Sequence, residues 1–176
     1  MTVTLVRPAR EADAEPLRET HVAAIEAFGP EAYEERAIAA WADRGDDHSL
    51  EGLDDPDTDW VVAERDPRPD SPDTDADADT SPVAGFGRLD VTEAEAEGEV
   101  IAVYVHPDHA RSGVGSAILA SLEGYARGRK LGELTLTASL NAVGFYERVG
   151  YERVREVTHE TSRGVELDCL LLRKEL

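Results

Sequence analysis

Seventeen consecutive residues, Val103-Tyr104-Val105-His106-Pro107-Asp108-His109-Ala110-Arg111-Ser112-Gly113-Val114-Gly115-Ser116-Ala117-Ile118-Leu119, carry the most specific chemistry in this chain. An apolar run passes through a polar loop into a helical pattern whose first turn holds two glycines. Backbone N–H groups in the first turn of a helix have no partner inside it, and the positive end of the helix dipole lies behind them. Glycine keeps a Cβ out of the path of an approaching anion. The two glycines therefore predict a phosphate cradle at the start of that helix, around Gly113 and Gly115. A plainer reading is that the glycines open a helix packed tightly on a sheet. A dinucleotide fingerprint is excluded: its turn follows the strand at once and carries a third glycine. Here seven residues separate Val105 from Gly113, and Ile118 stands at the third position.

The remaining candidates are sparser. His106, Asp108 and His109 cluster, but in the loop already assigned to the cradle, and His21, His48 and His159 are scattered. No metal site is expected, and His106 before Pro107 reads as the extended end of a strand. Cys169 is the only cysteine, so neither an intramolecular disulfide nor a cysteine-pair zinc site is available. Further on, Asn141-Ala142-Val143-Gly144-Phe145-Tyr146-Glu147-Arg148-Val149-Gly150-Tyr151 places two adjacent aromatics on a short helix. Their rings must point in different directions, so one is free for function while the other enters the core.

The elements that must position these residues follow from periodicity. Residues 3–6 read as a strand. A helix follows, with Ala14, Leu17, His21, Ala24/Ile25 and Phe28 on one face, and Gly29-Pro30 ends it. A second helix carries Tyr33, Ala37, Ile38 and Trp41 on one side. Strands are expected at 60–64, 83–91 and 100–105, with a turn at 95–98. A helix at 113–129, a strand at 134–137, a short helix at 141–149 closed by Gly150, and a hairpin of 151–160 with 165–172 complete the chain. The order β-α-α-β-β-β-α-β-α-β-β implies an α/β fold, a mixed sheet with helices on its faces.

The chain has 176 residues, the length of one domain, and 41% of them are hydrophobic, which is enough for its own core. No apolar run is long enough to span a bilayer, and the first residues lack a secretory pattern, so a cytoplasmic location is expected. There are 38 acidic and 18 basic residues, a net charge of −20. Such a surface repels phosphate backbones and anionic lipids, which argues against nucleic-acid and membrane roles. Only Lys130 and Lys174 are lysines. Acid excess with scarce lysine is the style of halophilic, salt-adapted proteins, since a carboxylate-rich surface stays hydrated when salt screens its self-repulsion. Residues 66–81 have three prolines and no large apolar side chain, so they are expected to form a mobile acidic hairpin loop.

With both motifs in view, the chain resembles the GCN5-related N-acetyltransferase (GNAT) superfamily. The family's Arg/Gln-x-x-Gly-x-Gly/Ala loop after a strand ending in V-x-P corresponds to the first stretch, and Asn-Ala-x-x-Phe-Tyr-x-x-x-Gly-Tyr to the second. Ala110 departs from the family pattern; the arginine stands one place later, at Arg111. The resemblance implies acetyl-CoA as co-substrate, with its pyrophosphate at Arg111, Ser112, Gly113, Val114, Gly115 and Ser116. It also implies a pantetheine arm paired with Val103, Tyr104 and Val105 where that strand parts from its neighbour. Asn141 is implied as a helix N-cap, a coenzyme contact, or both. Direct attack by an amine needs a base, which the resemblance puts at Glu99, with Glu97 as substitute; otherwise Glu99 is a solvated acid. It puts the acid that protonates the leaving thiolate at Tyr146, whose other reading is a core aromatic.

The expected acceptor is the amine of a small molecule or a peptide, entering past the two N-terminal helices and residues 46–59. There Trp41, Tyr33 and Phe28 either line the entrance or pack on the sheet. Two alternatives remain: a non-catalytic acyl-CoA-binding sensor, and a protein N-terminal acetyltransferase. The last hairpin, to which Leu170-Leu171-Leu172 adds apolar surface, or the edge strands offer a place for a homodimer. The charge reading is checked by thermal unfolding: the midpoint is expected to rise from low-salt buffer to molar KCl, and a flat curve would refute salt adaptation.

Overall fold

Trp60, Val61, Val62 and Ala63 form an apolar run without a polar break, and in the computed structural model they are the buried centre of a strand. The structure describes residues 3–45, 49–65, 83–92 and 96–176. The expected loop at 66–81 lies outside the described residues.

Seven strands form one sheet. In chain order the elements are β1 (Thr4–Pro8), α1 (Ala14–Phe28), α2 (Glu35–Ala42), β2 (Thr58–Arg65), β3 (Val83–Thr92), β4 (Glu97–Val105), α3 (Val114–Gly128), β5 (Glu133–Ser139), α4 (Val143–Arg148), β6 (Glu152–Glu160) and β7 (Glu166–Glu175). The sheet order is β1-β2-β3-β4-β5-β7-β6. Every neighbouring pair is antiparallel except β4–β5, which is parallel. This is the expected element order and the expected mixed α/β sheet. No described helix is long and apolar enough to cross a membrane.

Several boundaries differ from the sequence expectation. Glu97 and Gly98 belong to β4 rather than to a turn, because both pair with β3 and β5. The short helix begins at Val143, not at Asn141. Leu170, Leu171 and Leu172 lie in β7, whose backbone is paired on both sides by β5 and β6. That run feeds the core instead of an open edge, and Leu172 is fully buried. The free sheet edges are β1 and β6.

One core lies between the sheet and α3, where Ile118, Leu119 and Leu122 meet Val61, Leu89, Leu134 and Leu136. Each such side chain contributes about 1.5–3 kcal/mol by leaving water. A smaller core on the other face joins Leu17 of α1 to Trp60, Val62 and Phe86. The start of α1 is pinned by charge: Arg7 on β1 contacts Asp13 at 2.8 Å and Glu64 of β2 at 2.6 Å. The Arg7 guanidinium holds the Asp13 carboxyl below the usual carboxylate range. At the far end, Lys174 donates to Glu123 of α3 and to the Val149 carbonyl after α4, both at 2.8 Å, which fixes α4 relative to α3.

Two features of β4 prepare the site. Its pairing with β3 slips between Arg88 and Leu89, leaving Ile101 as an extra residue between Val100 and Ala102. Such a bulge bends and twists its strand. Its pairing with β5 ends at Val100↔Leu136, although β5 runs on to Ser139 beside β7. Past Val100 the two strands part, and Val103–Val105 keep only β3 as neighbour.

The closeness of α3 depends on Gly87 of β3. A Cβ there would sit 2.5 Å from Ile118 Cγ2 and 3.0 Å from Leu122 Cδ1. Gly87→Ala is expected to destabilise the fold by about 1–3 kcal/mol in chemical denaturation. A neutral Gly87→Ala would contradict the packing.

Candidate active site

The parting of β4 from β5 opens a cleft of about 540 Å³. Its walls are the end of α1 (Ala24, Ile25, Phe28), the end of β4 (Val103, Tyr104, Val105), the loop into α3, and Asn141 to Arg148 around α4. Of the predicted coenzyme residues, Val103, Tyr104, Val105, Arg111, Gly113, Val114, Gly115, Ser116, Asn141 and Tyr146 all line it. Ser112 does not: its hydroxyl donates back to the His109 carbonyl.

The loop reaches its shape through two left-handed residues, Arg111 at φ +57° and Gly113 at φ +84°. Gly113 takes this conformation without strain, whereas Arg111 bears a cost of about 1–2 kcal/mol. Left-handed turns of this kind aim successive amides to one side and make an anion-binding concavity. The first bond of α3 runs from Ala117 N–H to the Gly113 carbonyl. Among the described residues, none of the amides from 111 to 116 donates a hydrogen bond. The exposed guanidinium groups of Arg111 and Arg148 stand in the same wall, without an ion-pair partner among the described residues. In a chain of charge −20 they are local exceptions.

The histidine cluster serves this loop. His106 Nδ1 accepts from the Asp108 amide at 3.2 Å, and His109 Nδ1 lies 3.3 Å from an Arg65 nitrogen. Burial pushes His109 below the usual histidine range, with Arg65 adding to the effect.

The second motif meets the first across the cleft. The Phe145 ring lies beside Gly115 at the start of α3. Tyr146 is buried in the core and also lines the cleft; Phe145 packs on the same core and lines the same cleft, so the two rings are not divided between core and site as expected. Burial pushes its phenol above the ordinary value, and Tyr104 adds to this. It therefore stays protonated at neutral pH. Asn141 does not cap α4: the cap position is Ala142, with no side-chain bond. The Asn141 Oδ1 is instead buried with no partner. A buried acceptor without a donor costs about 1–3 kcal/mol, a cost that a ligand N–H would remove.

A second cleft of about 360 Å³ lies on the α1 side of the sheet, lined by His21, Trp41, Asp43, Arg44, Trp60, Arg88, Ile101, Ala102, Tyr104 and residues 159–162. Tyr104 and Trp41 belong to both clefts and mark where the two meet. Tyr104 is held edge-on to His21 at 4.6 Å and stacked on Phe86 at 5.4 Å. Burial pushes its phenol up to about 12.

Three expectations need correction or qualification. Tyr33 lines neither cleft: its hydroxyl donates to the Asp168 carbonyl at 2.7 Å and accepts from the Leu140 amide at 2.9 Å, stapling the start of α2 to β7. Phe28 lines the first cleft rather than the second. Glu99 lines neither. It is half-buried on β4 opposite Asp90, and burial, then Asp90, raises its carboxyl. Sequence reasoning missed Arg148, whose signal was a cation inside the second motif. It also missed residues 159–162, which no local pattern ties to a cleft some hundred residues away in sequence.

A family model described as the acetyltransferase (GNAT) family matches residues 23–151. A solved structure described as a GCN5-related N-acetyltransferase from Rhodopseudomonas palustris is 25% identical, with a TM-score of 0.79 over 99% of this chain and 96% of that one. PaiA N-acetyltransferase from Thermoplasma acidophilum, solved in complex with coenzyme A, is 18% identical, with a TM-score of 0.70 over 99% of both chains. A ribosomal-protein-alanine N-acetyltransferase from Brucella melitensis is 22% identical, with a TM-score of 0.65 over 98% of this chain and 99% of that one. The last two show a shared fold. No curated protein sequence matches.

The cradle is tested by the double variant Arg111→Ala/Arg148→Ala. Calorimetry with coenzyme A at fixed salt should show at least about a tenfold loss of affinity, since each charge-assisted contact contributes about 1.5–3 kcal/mol. Unchanged affinity would place both charges outside the site.

Proposed function

We propose that this chain, which belongs to the acetyltransferase (GNAT) family, transfers the acetyl group of acetyl-CoA to the amine of a small molecule or a peptide. The observation that carries the reading is the set of amides from 111 to 116, unbonded among the described residues, beside a cleft between parted strands. These residues fit a diphosphate: the amides, the helix dipole and Arg111 all favour negative charge. The free backbone edge of Val103–Val105 fits an extended amide-bearing arm, as an added strand would. The orphaned Asn141 Oδ1 fits an N–H donor on such an arm.

The thioester supplies an activated acetyl group. The amine nitrogen attacks its carbonyl carbon, an N–C bond forms, and the C–S bond breaks. An alkylammonium with a pKa near ~10.4 is only about 0.1% neutral at pH 7, so a base raises the rate. We assign this role to Glu99. Because it lines neither cleft, it acts through water, and its raised carboxyl makes it a stronger base than an exposed glutamate. Tyr146, kept protonated by burial, supplies the proton that the departing sulfur takes up. The rival reading, a coenzyme-binding module without turnover, draws its support from the position of Glu99 outside both clefts.

The test is thiol release from acetyl-CoA with a panel of amines. Tyr146→Phe should lower kcat by about tenfold to a hundredfold with little change in KM, in keeping with the size of general-acid effects. A variant with full turnover would remove the acid role. Glu99 must be ionised to act, so kcat/KM should fall as pH drops through its raised pKa. Glu99→Gln should lower the plateau and abolish that limb. Tight binding with no turnover on any amine would favour the binding module.

A further inference from the structure

The second cleft carries charges that do not all cancel. Asp43 is taken by Arg163 at 2.5 Å and by the Gly45 amide at 2.8 Å. Arg88 is taken by Asp90 at 2.7 Å and lies over the Trp60 ring. Two charged groups in the wall have no ion-pair partner among the described residues: the guanidinium of Arg44 and the carboxylate of Glu160. Both are exposed. His21, in the same wall and edge-on to Tyr104, is buried, and its Nδ1 has no hydrogen-bond partner.

We propose that this cleft takes an acceptor bearing a carboxylate beside its amine, an amino acid or a similar amino-carboxylate, with the carboxylate held by Arg44 and the amine turned toward Tyr104 and Trp41. The assignment rests on the acetyl-transfer reading and adds the substrate class to it. With no ion-pair partner among the described residues, the Arg44 guanidinium is available to an anion in this wall. Arginine presents a planar fork that matches a carboxylate with two parallel bonds. Glu160 supplies the opposite charge that an incoming ammonium group favours. A wall with one cation and one anion unpaired among the described residues matches a zwitterion better than a polyamine, which would find one carboxylate and one repelling guanidinium. Burial, then Arg44, pushes His21 down to about 4, so the ring is neutral near pH 7 and does not add a second cation. The volume of about 360 Å³ admits a free amino acid. Tyr104 and Trp41, shared by both clefts, bring its nitrogen to the place where the thioester would lie.

The experiment compares matched acceptors with the intact protein: amino acids, their carboxamides, and the corresponding decarboxylated amines, each assayed by thiol release from acetyl-CoA. The free acids should exceed both analogues by at least about tenfold in kcat/KM. Arg44→Gln should raise KM for the acids about tenfold or more while leaving KM for acetyl-CoA unchanged, and Arg44→Lys should restore part of the loss. Equal rates on acid and carboxamide, or an unchanged acceptor KM in Arg44→Gln, would overturn the assignment. Coenzyme A binding is measured on the same preparations. Uptake of coenzyme without acetylation of any amino-carboxylate overturns the acceptor class alone. Absence of uptake overturns the acetyl-transfer reading and the acceptor class together.

Discussion

A strand that loses its neighbour halfway along is the constraint on which the rest of this molecule depends. β4 and β5 pair in parallel only from Glu97 to Val100, and the bulge at Ile101 turns β4 aside at the next residue. Backbone groups left without a strand partner must be met by water or by a ligand, since burying them unpaired is costly. The loop after β4 then turns through two left-handed residues into α3, so the free strand edge and the free helix amides face one cleft. Affinity in such a site comes chiefly from main-chain groups. That is why Ala110, which has no side chain to offer an anion, still lines a cradle that is complete in its backbone.

Charge separates the two clefts from the surface around them. The protein carries 20 net negative charges, and residues 43–79 hold fifteen of its acids against three arginines. Arginines without an ion-pair partner among the described residues stand in the cleft walls: Arg111 and Arg148 in one, Arg44 in the other. Arg88, in the second wall as well, is bound to Asp90, and Arg7, Arg153 and Arg163, outside these walls, are bound to carboxylates. An acidic surface repels anions in general, and the guanidinium groups in these two walls locally favour negative groups.

Much of this was legible in the sequence, because the informative signals are local. Strand, glycine pair and helix are contiguous from Val103 to Leu119, and each part has its own physical signature. The element order follows from periodicity in the same way. What escaped depends on contacts between distant segments. The role of Tyr33 as a staple requires β7 to lie beside it, 135 residues later. Asn141 reads equally well as a cap or a ligand contact until the helix is seen to start at Val143. The placement of Glu99 outside both clefts follows from the strand register past a bulge, and one extra residue is enough to change which face a side chain occupies. The wall formed by residues 159–162 has no local signal at all.

The most direct measurement is the response of individual backbone amides to coenzyme A, followed by NMR on nitrogen-15-labelled protein in high salt. Saturable shifts centred on residues 111–116, with smaller changes along Val103–Val105, are expected if these amides receive the diphosphate. Absence of saturable shifts, or a response centred on another part of the molecule, would contradict the assignment of the cradle.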